Sequence, residues 1–202
     1  MITENWIDLI KQEDNLLAVG CGWGIRISRI ADKCNVFGMD IAEERFKDCP
    51  ANVRGKLRYG DVTKYIPFNR KFDWVLLRDV IEHIGEEHSA LRNISDSLKE
   101  DGVLIITTPR HIPFFNIYDP AWLRWKLGKG ERHYHYKKNQ LFSMLKSNNL
   151  IVEAYHIESG LRWLFVRWFN IFLKYIFKTN KLLPVKPRQG FFNWFIIARK
   201  RE

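Results

Sequence analysis

Leu17-Ala18-Val19-Gly20-Cys21-Gly22-Trp23-Gly24 decides how this chain folds. Leu16–Val19 is a short apolar strand, and three alternating glycines end it. Glycine takes the positive φ of a tight turn and carries no Cβ to hold a ligand away from the backbone. A helical pattern follows over Ile25–Lys33, so the glycines sit on a strand-to-helix turn whose helix N-terminus would offer N–H groups to an anion. A tight turn without a ligand uses glycine in the same way.

Spacing on either side narrows the choice. The glycines run G-x-G-x-G, whereas dinucleotide enzymes use G-x-G-x-x-G. A second strand, Val36–Met39, stops on Asp40, twenty residues after Gly20, where a carboxylate can accept both hydroxyls of a ribose. A third, Leu57–Tyr59, stops at Gly60-Asp61, where a carboxylate could meet an adenine amino group. Phe72–Leu77 and Gly102–Thr107 follow as strands, with a helix over Ser89–Lys99 between them. Three of these strands are continuous apolar runs, as expected of strands covered on both faces. Alternating helices and strands predict an α/β fold with a mostly parallel sheet, and polar strand ends converging on one crevice predict a ligand site there.

Farther out the signals weaken. Glu4–Gln12 has an amphipathic helical pattern. Ile112–Leu127 is aromatic and irregular, broken by Pro113 and Pro120. Asn139–Lys146 reads as a helix, Leu150–Ile157 as a strand and Phe191–Lys200 as the last strand. Between the final two strands lies Glu158–Gly190, a connection long enough to suggest a function of its own. The expected organisation is one domain over 1–202, with a core at 14–157 and 191–200, a substrate-side segment at 111–136 and an aromatic, basic insertion at 158–190.

Composition bounds the rest. Apolar residues make up 46% of the chain, enough for a packed core. Three cysteines without metal-ligand spacing point to a reducing, cytoplasmic compartment and to no metal site, and Met1–Ile10 lacks a secretory pattern. The net charge of +10 is unevenly spread: residues 1–110 balance at −2 and residues 111–202 at +12. Only the second half is built to meet an anion.

Together these segments resemble the class I S-adenosylmethionine-dependent methyltransferases, in the ubiquinone-biosynthesis-like branch called type 11 or type 12. Leu17–Gly24 is similar to that family's first motif, Val36–Asp40 to its ribose-binding strand and Tyr59-Gly60-Asp61-Val62 to its adenine-binding motif. Phe72–Val75 with Asp79–Ile84 resembles its fourth strand and turn, and Gly102–Pro109 its fifth. The resemblance covers residues 14–157 and the last strand. It implies a Rossmann-like fold with an antiparallel last strand and helices on both faces, and S-adenosylmethionine as cofactor. By position, Gly20, Cys21 and Gly22 would line the methionine end, with Gly24 also in the cofactor-binding turn. Asp40 would hold the ribose, Ile41 and Val62 the adenine faces and Asp61 the adenine amino group. Arg78 would border the transfer site. The family usually has an acid two residues before the first glycine; here Ala18 removes that contact. No Asn-Pro-Pro-aromatic motif follows the fourth strand, so the likeness does not extend to methyltransferases acting on nucleobase amines.

Trp23 either offers an aromatic face to a sulfonium or packs under the turn. His83, His111 and His133 are candidate bases, with His111 expected to overhang the crevice and His133 similar to a histidine before the next helix in relatives. Glu82-His83 offers two donors for a divalent ion, too few for a site. Leu161–Lys178 carries four basic residues and no acid, and Arg167, Asn170, Lys174, Lys178 and Lys181 fall in one helical arc beside a broad aromatic face. Such a helix suits an anionic membrane surface, a buried core position or a subunit contact. The expected acceptor is a small molecule, quinone, lipid or glycolipid hydroxyl near that surface. An RNA methyltransferase, a non-catalytic cofactor-binding protein and a dehydrogenase are the alternatives.

Overall fold

The computed structural model describes residues 6–178, 183 and 190–201, with residues 174 and 175 as backbone only. Seven strands form one sheet: β1 (Asn15–Val19), β2 (Asn35–Asp40), β3 (Leu57–Tyr59), β4 (Phe72–Arg78), β5 (Leu98–Pro109), β6 (Leu150–Glu158) and β7 (Asn193–Lys200). Their order is β3-β2-β1-β4-β5-β7-β6. The first five run parallel, and β7 lies antiparallel between β5 and β6. This is a Rossmann-like, mostly parallel sheet with the antiparallel last strand anticipated above.

Alternation along the strands divides the core in two. Leu17, Val19, Val75 and Leu77 point to one face, covered by α2 (Glu87–Ser97) and α4 (Lys138–Lys146). Leu16, Ala18, Trp74 and Leu76 point to the other, packed by Trp6, Ile27 and Val53. Every one of these residues is buried, and a fully buried leucine contributes about 1.5–3 kcal/mol. Register then fixes the site. Val19 pairs with Met39 on one side and Leu77 on the other, so Gly20, Asp40 and Arg78 emerge together at one sheet edge.

Several elements differ from the sequence pattern. The N-terminal helix is a single 3-10 turn, Trp6–Leu9, and residues 4 and 5 lie outside the described set. The helix after the glycines, α1, is only Ile25–Ser28; beyond it the bonds tighten to the 3-10 pattern, with Ile30 N donating to Ile27 O and Lys33 N to Ile30 O. α2 ends at Ser97 because Leu98, buried in the core, has joined the sheet opposite Phe72. Pro120, which reads as a breaker, instead opens α3 (Pro120–Lys126): Asp119 caps it by accepting from Ala121 N at 3.0 Å. Proline at the first helical position removes only an N–H that has no helical partner.

The 158–190 insertion is clamped at its ends. Gly190 N donates to Ile157 O, and Phe191 N to Ser159 O. A Cβ on Gly190 would lie 2.3 Å from the Gly160 nitrogen, so only glycine fits. α5 (Leu161–Ile176) begins immediately after this clamp. Its orientation reverses the expected one for the basic stripe. Arg167 turns inward to Asp119 at 2.8 Å, and Asn170 bonds the backbone of Leu183. Leu161, Phe165, Trp168, Phe169, Phe172 and Ile176 face solvent instead. At about 100° per residue they occupy one arc of roughly 100°. Arg167 on Asp119, Trp168 Nε1 donating to Tyr118 O and Trp163 stacked on Phe192 tie this side of the helix to the domain. Lys178 is exposed; the Lys174 side chain and Lys181 lie outside the described residues.

Candidate active site

Beyond the C-terminal edge of the parallel strands lie three adjoining cavities. The first, about 560 Å³, opens among Gly20, Asp40, Ile41, Asp61 and Val62. The second, about 490 Å³, runs from Ala18 past Gly20, Cys21, Gly22 and Trp23 to Arg26 and Arg78. The third, about 330 Å³, lies behind Arg78, between His83, His133 and the inward face of α5. Asp79 borders all three.

Backbone geometry builds the first two. Gly20, Gly22 and Gly24 have φ of 68°, 55° and 73°, values that favour glycine. A Cβ on Gly20 would sit 2.3 Å from Val80 Cγ2, so the turn after β4 packs directly on the glycine. Around Gly22 there is open space, which leaves bare backbone facing the second cavity. Asp40 is buried and accepts from Gly22 N at 2.7 Å and Ala42 N at 2.9 Å. Arg45 lies 3.7 Å from one oxygen, and a carboxylate offers about four acceptor positions, so the two backbone bonds do not exhaust it. Asp61 accepts from the Thr63 hydroxyl at 2.7 Å and its N–H at 3.0 Å, and these bonds hold its carboxyl below the usual range.

Two expectations change here. With Gly22 N committed to Asp40 and α1 only one turn long, anion binding by a helix N-terminus is not what this turn provides. Trp23 does not pack under the turn: it is 48% exposed, with the Arg45 guanidinium 5.3 Å from its ring centre. Burial and the nearby Asp40 push the Cys21 thiol up to about 12, so it packs as a neutral group.

Side-chain contacts build the third cavity. Buried Asp119 accepts from His133 Nε2 at 2.8 Å, His135 Nε2 at 3.3 Å and Arg167 at 2.8 Å, as well as from its own helix cap. Burial works against its charge, but the bonds from His133 and His135 and the charge of Arg167 outweigh it and hold the carboxyl well below the usual range. Glu82, also buried, accepts from Thr108 Oγ1 at 3.0 Å; burial and then Asp79 push its carboxyl up to about 8. Asp79, at φ 56°, accepts from Thr107 Oγ1 and lies 3.5 Å from Arg26. Ligand atoms of Glu82, His83 and His133 lie within 4.8 Å of one another, as do those of Asp119, His133 and His135. Asp119 carries four hydrogen bonds and Glu82 accepts one from Thr108, while Nδ1 of His133, the residue common to both groups, has no partner among the described residues.

Gly20, Cys21, Gly22, Asp40, Ile41, Asp61, Val62 and Arg78 all border these cavities, while Gly24 underpins the turn against Leu57 and Val53. The histidines separate. His133 lines the third cavity, and His83 borders the first and third with Nδ1 bonded to Arg132 O. His111 borders none of the three: after Pro109 the chain turns to bridge Tyr136, and Asn116 engages its Nδ1 at 2.8 Å. Sequence reasoning missed Asp79, Asp119, His135 and Arg167. The Asp119-Pro120 pair carried a readable signal, the aspartate–proline start of a helix.

Comparison with known proteins bears on the fold and the family. Residues 17–106 match the family described as "Methyltransferase domain". A ubiquinone biosynthesis O-methyltransferase of Rickettsia canadensis is 29% identical over 112 residues, covering 53% of this chain and 47% of that protein. The chain thus spans about half the length of that relative. Among solved structures, magnesium protoporphyrin IX methyltransferase of Synechocystis, with bound S-adenosylhomocysteine, superposes with a TM-score of 0.64 at 15% identity, covering 97% of this chain and 79% of that one. A S-adenosylmethionine-dependent methyltransferase of Clostridium acetobutylicum gives 0.65 at 16%, covering 98% and 89%. At such identities the structures establish a shared fold.

Proposed function

We propose that the chain is a class I methyltransferase of the ubiquinone-biosynthesis-like branch that uses S-adenosylmethionine, and that it O-methylates a small-molecule, quinone, lipid or glycolipid hydroxyl at a membrane surface. The observation that carries this reading is the convergence of the ends of β1, β2 and β3 on one cavity. When bound, the cofactor supplies a methyl group already activated by its sulfonium. The protein's work is then to hold the acceptor in line and exclude water. In this reading Asp40 accepts the ribose hydroxyls, Asp61 the adenine amino group, and Ile41 and Val62 flank the base. Gly20, Cys21 and Gly22 receive the methionine end. Asp79, which borders the second cavity alongside Ala18, supplies there the carboxylate that position 18 lacks. Arg78 stands where the second and third cavities meet. His133 is the favoured base, because His111 lies outside the cavities.

The membrane part of the proposal is supported by the solvent-facing aromatic arc of α5 in the half of the chain that balances at +12. No helix among the described residues is long and apolar enough to cross a membrane. Contact would therefore be lateral, with rings at the acyl boundary and cations such as Arg162 and Lys178 at the headgroups. A second copy of this chain suits the arc less well, because it would bring two strongly basic halves together. Labelled methyl transfer into fractionated cell extract tests the acceptor class. Label in the lipid or small-metabolite fraction is expected; label in RNA would favour the alternative reading of the basic half.

A further inference from the structure

Among the described residues, two that line the third cavity each carry a buried polar atom without a hydrogen-bond partner: Arg78 Nε and His133 Nδ1. Such atoms are costly to leave unmet, and two on the lining of one cavity point to a ligand there. Their chemistry is complementary. Asp119 as a carboxylate can only accept from His133 Nε2, so in the neutral ring that nitrogen holds the proton. Nδ1 is then a bare lone pair, an acceptor or base. Arg78 Nε–H can only donate.

We propose that the third cavity is the acceptor site, that His133 Nδ1 takes the acceptor's hydroxyl proton, and that Asp119 positions His133 while Arg167 from α5 holds Asp119. Arg78 meets a second oxygen of the acceptor, so the ligand class is a hydroxyl beside an anionic or strongly accepting oxygen. The inference rests on the methyl-transfer reading and adds to it a base, its orienting pair and an acceptor class. In the step, the acceptor oxygen forms a bond to the methyl carbon, and the carbon–sulfur bond breaks with its electron pair returning to sulfur. The hydroxyl proton passes to Nδ1 and from there to solvent. A carboxylate that fixes the tautomer of a histidine base is an arrangement other catalytic sites have reached on unrelated folds.

Histidine tautomers are visible without turnover. In 15N-histidine spectra of the full chain saturated with S-adenosylhomocysteine, His133 should show protonated Nε2 and bare Nδ1. Asp119→Asn, which retains a capping oxygen, should lose that fixed preference. Salicylate, whose hydroxyl adjoins a carboxylate, should perturb the Nδ1 signal at a concentration ~10-fold or more below phenol, and Arg78→Met should erase the difference. A proton on Nδ1 in the wild type, or salicylate and phenol acting alike, would overturn the proposal. Calorimetry with S-adenosylhomocysteine separates the two levels: no binding there would sink the methyl-transfer reading, while binding with the wrong tautomer would sink only the dyad.

Discussion

The cavities on the two sides of Asp79 are built by opposite means. On the cofactor side, Gly20, Asp40 and Asp61 each lie within two residues of a strand end, and the sheet's register brings them together. On the acceptor side, Asp119 meets His133 across 14 residues and Arg167 across 48, through side chains on separate elements. The first kind of site costs little to assemble, because strand pairing has already fixed the backbone. The second depends on buried charges that must find one another, and breaking one such pairing strands the other partner. Damage to the acceptor side should therefore appear as lost stability and altered pH response, and damage to the cofactor side as lost affinity.

The largest expected effect sharpens that contrast. Glu82 has an ordinary carboxyl value of 4.5 and is raised by burial to about 8 in the folded protein. Between those values the folded chain keeps a proton that the unfolded chain has lost. Stability should fall as pH rises through that window and level off above it. At about 1.4 kcal/mol per unit, the full effect is on the order of 5 kcal/mol. Glu82→Gln should remove this contribution, which urea melts of both proteins across the window would reveal. Parallel pH dependences would mean that Glu82 ionises freely, and the acceptor side would then be less buried-charge-dependent than described.

On the cofactor side the expected effect is smaller and of another kind. Asp40→Ala should weaken S-adenosylhomocysteine binding by about 1.5–3 kcal/mol through loss of charge-assisted bonds to the ribose. Part of that loss comes indirectly, because Asp40 also holds Gly22 N and Ala42 N and so shapes the turn. Asp40→Asn tells the two apart: its side-chain oxygen retains some acceptor capacity for the turn but carries no charge. Equal affinity for wild type and both variants, measured by calorimetry, would remove Asp40 from the site.

The same division explains what the sequence could disclose. Strand ends, glycine spacing and the Asp40 and Asp61 positions were legible because local backbone rules place them together on one cavity. The seven-stranded sheet followed from apolar runs, and β7 fell where its pattern put it. The rotation of α5 was not legible, although its amphipathic pattern was. Periodicity defined two faces, but the partners of the inward one, Asp119 and Tyr118 among them, lie in a segment that reads as irregular. Likewise His111 and His133 were equal candidates until the bridge between Arg110 and Tyr136 carried the first away from the cavities.

The smallest effect on stability belongs to the outer face of α5, and there the comparison can be broken. Phe165 is 71% exposed and Phe172 50% exposed, so neither contributes much to the core. Phe165→Ser with Phe172→Ser should change folding stability by no more than about 0.5 kcal/mol. If the arc meets lipid, the same pair should lower binding to phosphatidylglycerol-containing vesicles by about tenfold or more, since each ring would be removed from the acyl boundary. Wild-type binding should exceed that to neutral phosphatidylcholine vesicles and weaken with salt, while the apolar part persists. Affinity for S-adenosylhomocysteine should be unchanged in the variant, because neither ring borders the cofactor cavities. A wild-type protein that ignores anionic vesicles at low salt would refute lipid contact. Self-association that disappears in the double variant would give the arc to a second copy, despite the repulsion between the basic halves.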